Sequence, residues 1–179
     1  MQLRSLALIA TLIAMPASAA DFTLKSDALA SGKLAPAQYA NAFGCSGGNV
    51  SPDLRWDNAP AGTRSFAVTV YDPDAPTGSG WWHWVVANLP ADTSALPAGA
   101  GSAAGKLPAA AMQLNTDTGQ PGFLGACPPV GETHRYIVTV HALSVERFDL
   151  PAHATPAMLG FMMRSVTLGR ASLKATGGR

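Results

Sequence analysis

Residues 65–71 form a β-branched and aromatic run that stops at Asp72-Pro73. Proline has no N–H to give to a strand ladder, so a strand there must end at a turn or a sheet edge. The same punctuation recurs: residues 82–89 make a second strand candidate, halted by Pro90. In residues 135–143, Tyr136, Val138, Val140 and Ala142 alternate with Ile137, Thr139, His141 and Leu143. Both sets are mostly apolar, which predicts a strand buried on its two faces. Residues 22–26 read as a weaker, edge-like strand.

With 18 Gly, 14 Pro and only 13% charged residues, the chain reads as a compact, loop-rich β protein. One helical pattern stands near the C-terminus. Thr155 is a good N-cap, Pro156 suits the first helical position, and Leu159, Met162, Val166, Gly169 and Leu173 recur at three- and four-residue spacing. Gly177-Gly178 stops it, and Gly160 and Gly169 leave open one long helix or two short ones. Residues 90–121 read as a connector too apolar for a freely flexible linker. No internal repeat and no second core appear, so residues 21–179 are expected to form one mainly β domain, a sandwich with peripheral helices.

Residues 1–20 have the pattern of a secretion signal: Arg4, an apolar stretch over 6–15, and Ala17-Ser18-Ala19 as the cleavage motif. Cleavage is expected after Ala19 or Ala20, with the mature protein in a bacterial periplasm and no membrane-spanning segment in it. The 12 Lys and Arg, one of them Arg4 in the leader, stand against 11 Asp and Glu. Such a balance gives no electrostatic case for nucleic acid. Export places the two cysteines, Cys45 and Cys127, where disulfides persist, so a bridge between them is expected.

Asp72 and Asp74 flank Pro73 just beyond a strand, which by itself describes a turn. Two carboxylates this close repel, so at least one needs a donor, and His83 and His134 are the candidates. His83 lies among Trp81, Trp82 and Trp84, a cluster that would exclude solvent from whatever it lines. His141, mid-strand, and His153, between two prolines, read as structural or solvated. A thiolate at Cys127 with His134 and an aspartate would suit a hydrolase, and His83, His134 and Asp72 would suit a metal site.

Taken in order, Asp72-Pro73-Asp74-Ala75-Pro76, then Trp82-His83-Trp84 running into Asn88-Leu89-Pro90, then Cys127-Pro128-Pro129-Val130-Gly131 with His134-Arg135-Tyr136 form a distinctive set. The set resembles the phosphatidylethanolamine-binding protein family in its bacterial Raf kinase inhibitor-like branch. That resemblance implies a large antiparallel sheet packed on a smaller one. It also implies a small pocket for phosphate-type anions lined by Asp72, Asp74, His83, Pro128, Pro129, His134 and Tyr136. Backbone donors in the loop would come from Gly125, Ala126 and Cys127, since prolines have none. Trp82 stands where animal members have a second histidine, which makes the rim bulkier and questions a phospholipid head group as ligand. The expectation is a ligand-binding or inhibitory module rather than an enzyme, with no cofactor, an unnamed protein target and a homodimer left open.

Overall fold

The structure, a computed structural model, describes residues 20–102 and 104–179. The expected secretion signal falls at residues 1–19, outside the described residues. Two antiparallel sheets carry the fold. Strands β1 (Thr23–Lys25), β2 (Leu54–Asp57) and β5 (Ala95–Leu96) form the smaller sheet in the order β1-β2-β5. The larger sheet runs β6-β4-β3-β7-β8, with β3 at Ser65–Asp72, β4 at Trp81–Pro90, β6 at Met112–Gln113, β7 at Thr133–Leu143 and β8 at Thr167–Gly178. The connector over residues 90–121 thus supplies an edge strand to each sheet.

The sheets face one another across a core of Leu24, Leu54, Trp56 and Leu96 from one side and Phe66, Val68, Trp84, Val86, Val138 and Val140 from the other. Period-two alternation explains the division: residues of β3, β4 and β7 that point away from this core meet a second cluster. There Ala67, Val85, Ala87 and Leu143 pack beneath Leu159 and Met163 of helix α1 (Pro156–Met163). That outer layer covers only part of the sheet. Ile137 and Thr139 remain half-buried, so β7 is fully covered on its inner face and partly open on its outer one.

The C-terminal helix begins as expected, with the Thr155 hydroxyl accepting from the Met158 N–H and Pro156 in the first turn. Its continuation is corrected by the structure. The helix ends at Met163, and Val166, Gly169 and Leu173 belong to or precede the twelve-residue strand β8. The inward positions of β8 are Gly169, Ala171, Leu173, Ala175 and Gly177, alternating with Leu168, Arg170, Ser172, Lys174 and Thr176. Small inward residues hide this period of two in an apolar scan. Their size is required by packing: a Cβ on Gly169 would lie 2.7 Å from Pro60 Cγ, and one on Gly177 2.8 Å from Leu34 Cδ1.

Candidate functional site

The site forms where the ends of β3 and β4 meet the start of β7. Asp72, the last residue of β3, is almost wholly buried. Its Oδ1 accepts from the N–H groups of Asp74 and Ala75, closing the turn at Pro73, while Oδ2 accepts from His134 Nδ1 at 2.7 Å. The turn sends Asp74 the other way. Its carboxylate takes the Arg135 guanidinium at 2.6 Å and the Arg135 N–H at 2.8 Å, which hold its pKa down at about 2. Asp74 is therefore absent from the cavity wall, and the repulsion between the two aspartates is relieved by one partner each, His134 and Arg135.

His134 is buried, and its second ring nitrogen, Nε2, donates to Glu132 at 2.9 Å. Two donated bonds describe a protonated imidazole. Burial opposes the charge, but the hydrogen bonds to Glu132 and Asp72 and the field of both carboxylates outweigh it, so the pKa is raised. Glu132 keeps about half of its side chain in solvent. The sequence contains that acid two positions before His134, but only the strand start at Thr133 brings them together.

His83 reaches the site through a β-bulge. Val70 faces Trp84 and Tyr71 faces Trp82, which leaves His83 without a cross-strand partner. Bulges re-aim a side chain in this way. The same bulge disperses the expected tryptophan cluster: Trp81 lines the cavity with His83, Trp84 enters the inner core, and Trp82 stacks on Tyr71 on the outer face. His83 Nδ1 donates to the Leu124 carbonyl at 2.8 Å, which fixes a tautomer with Nε2 as acceptor. Burial pushes its pKa down, against the opposing effect of that carbonyl and of Asp72. Tyr136 sets its ring edge-on to His83 at 5.3 Å, and its buried hydroxyl has no hydrogen-bond partner among the described residues. Burial also raises the pKa of that hydroxyl, so it remains a donor.

The loop after Leu124 closes the far wall. Gly125 N–H donates to the Asn49 side chain at 2.7 Å and Ala126 N–H to the Gln38 carbonyl at 3.0 Å. Of the three loop donors expected from the sequence, only the Cys127 N–H has no hydrogen-bond partner among the described residues. No side chain fits at Gly125, where a Cβ would lie 2.5 Å from the Ala40 nitrogen. Cys127 is bonded to Cys45, as expected, and the Arg179 guanidinium donates to Gly44 O at 2.9 Å beside the bridge. Disulfide bonding removes the thiolate that a Cys127 hydrolase would need in this oxidised state. Among the described residues no cluster of three or more His, Cys, Asp or Glu is arranged to hold a metal.

The resulting cavity has a volume of about 230 Å³. It brings Asp72, His83, Pro128, Pro129, His134 and Tyr136 together and leaves out Asp74; Phe43 and Trp81 complete an apolar mouth. Phe43 gave no sequence signal, because it reaches the mouth only through the backbone reversal tied down by the disulfide. Tyr136, His83 and Cys127 supply polar groups to its lining, and the Tyr136 hydroxyl, without a hydrogen-bond partner among the described residues, is itself covered from solvent. His134 joins them only when Glu132 moves aside.

The comparisons agree with this architecture. The family model for phosphatidylethanolamine-binding protein matches residues 25–178. The chain is 56% identical over 143 residues to the UPF0098 protein YbhB of Escherichia coli strain K12, covering 80% of this chain and 90% of that protein. The crystal structure of E. coli YbcL superposes with a TM-score of 0.85 at 44% identity, covering 89% of this chain and 99% of that one. A Mycobacterium tuberculosis (strain H37Rv) protein named putative lipoprotein LppC is 36% identical over 163 residues, covering 90% of this chain and 75% of that protein. With the match running from β1 to the end of β8 and the same two-sheet fold in a solved relative, the chain belongs to the phosphatidylethanolamine-binding protein family.

Proposed function

We propose that the chain is an exported ligand-binding module whose cavity takes a phosphate-type anion carrying one proton. The observation that carries this reading is the buried Tyr136 hydroxyl, a donor without a partner beside a histidine whose free nitrogen is an acceptor. A buried donor left unpaired costs about 1–3 kcal/mol, which a ligand oxygen recovers. A singly protonated phosphate offers both halves of the match: oxygens for Tyr136 and the Cys127 N–H, and a P–OH proton for His83 Nε2. The dianion has no proton to give and meets Asp72 and Glu132 with greater repulsion.

Glu132 acts in this scheme as a resident counter-anion. An incoming oxygen that takes His134 Nε2 displaces the carboxylate, which then swings into solvent at small cost because it is already half exposed. Export is supported by the Cys45–Cys127 disulfide and by the relative named as a lipoprotein. In the mature protein the module would sit in the periplasm.

Calorimetric titration with inorganic phosphate tests the reading. Binding should be tighter at pH 5.5 than at pH 8. Tyr136→Phe should weaken it about ten-fold or more, the value of a hydrogen bond to a charged group, and His83→Ala should weaken it further. Glu132→Gln should strengthen it by up to about five-fold, since a half-exposed pair contributes about 1 kcal/mol or less. Affinity that is independent of pH and unaltered in all three variants would place the anion elsewhere.

A further inference from the structure

We propose that the outer face of the large sheet carries a second ligand site, for a small aromatic carboxylate. Helix α1 covers one end of that face and leaves a groove of about 410 Å³ beside it, larger than the cavity described above and within the size range of small-molecule pockets. Its floor follows from strand register. Tyr71 lies opposite Trp82 and Ile137, Thr69 opposite Thr139, and His141 opposite Arg170, which puts these side chains in adjoining rows.

Three features give the groove its chemistry. The Tyr71 and Trp82 rings lie with centroids 4.4 Å apart and planes tilted by 37°, forming an aromatic wall against which a ligand ring can pack. Arg170 is exposed, and it has no carboxylate partner among the described residues; no acidic side chain lines the groove. A guanidinium in that position is suited to bidentate recognition of a carboxylate.

The third feature is His141, which lines the groove and is 8% exposed. Its Nε2 lies 3.3 Å from Thr69 Oγ1, and its Nδ1 has no hydrogen-bond partner among the described residues. Burial, assisted by the Arg170 charge, lowers its pKa to about 4, so the ring is neutral at physiological pH and adds no competing charge. Unpaired buried polar nitrogens are uncommon in native structures. Nδ1 is covered from solvent, so His141 contributes a neutral floor to the groove, and recognition rests on the Arg170 charge and the aromatic wall. The two carboxylate-lined and cation-lined sites therefore lie back to back, divided by the thickness of one sheet.

The test uses the folded protein and 4-hydroxybenzoate as probe, followed by calorimetry and by tryptophan fluorescence. Saturable binding is expected with a Kd on the order of 1 mM or tighter for a ligand of this size. Arg170→Ala, an exposed change on an edge strand, should weaken binding at least ten-fold, and Trp82→Leu should weaken it as well. Tyr136→Phe and saturating phosphate should leave it unchanged, which separates this site from the cavity whether or not the cavity binds phosphate. No saturable binding, equal affinity in wild type and Arg170→Ala, or competition by phosphate would overturn the proposal.

Discussion

Tyr71 and Asp72 are consecutive residues of β3, yet the regions they serve handle charge in opposite ways. On the cavity side every ionised group has a partner: Asp72 holds His134, and His134 holds Glu132. On the outer side Arg170 stands without a carboxylate and His141 without charge. The cavity is thus organised by buried ion pairing, which rigidifies it, whereas the groove is organised by a pair of tilted rings and one exposed cation. A perturbation of the buried network should therefore reach the cavity first.

Removing the disulfide should disturb the cavity most. It joins residues separated by 82 positions, and a cross-link closing a loop of that size contributes about 4 kcal/mol through the unfolded chain. The double variant Cys45→Ala, Cys127→Ala should lose that amount in urea denaturation. Because the bridge anchors the Cys127 loop and Phe43, phosphate affinity should drop while 4-hydroxybenzoate affinity holds. Equal losses at both sites would erase the distinction between the two faces.

Next in size is Asp72→Ala. It leaves His134 buried beside Glu132 alone and frees the Asp74 and Ala75 N–H groups, so a stability loss of about 3 kcal/mol is expected. The equivalent change at Asp74, the half-buried partner of an exposed Arg135, should cost clearly less by the same denaturation assay. Similar losses for both would contradict the burial contrast between them.

Titration supplies the finest comparison. His134 has a raised pKa, so its contribution to stability is complete below pH 6.5 and is lost as pH rises through its folded value. His83 and His141 have lowered pKa values, so the unfolded chain takes up their protons first and stability falls as pH drops below 6.5. For His141, with a folded value of about 4, that loss is about 3 kcal/mol once pH is below both values. Histidine NMR signals followed from pH 8 to pH 4 should show His134 protonating first and His83 and His141 below 6.5. A His134 midpoint under 6.5 would remove the ion-pair account of the cavity.

Much of this was legible in the sequence. The runs over 65–71, 82–89 and 135–143 became β3, β4 and β7, because the first two were apolar and ended by proline and the third alternated over nine residues. Strand β8 was not, since its inward residues are mostly Gly and Ala, whose role is to admit Pro60 and Leu34 rather than to bury area. In the site, the motif residues converged except for Asp74, whose direction depends on the two N–H groups that Asp72 captures at the turn. Glu132 and Phe43 carried no signal because what brings them in is tertiary, a strand start and a backbone reversal. The bulge at His83 was equally invisible, as register is a property of paired strands.

Apart from the short edge strand β6, the large sheet consists of two antiparallel hairpins, β3 with β4 and β7 with β8, the second connected through α1, joined along the β3–β7 ladder. Asp72 and His134 sit on opposite sides of that seam, 62 residues apart. Each hairpin can form from nearby residues, but their union must first close a long loop, which slows it. The ion pair is accordingly a reporter of assembly: a spectroscopic label sensitive to the Asp72–His134 contact would follow the docking of two preformed halves, later than any signal from within either hairpin.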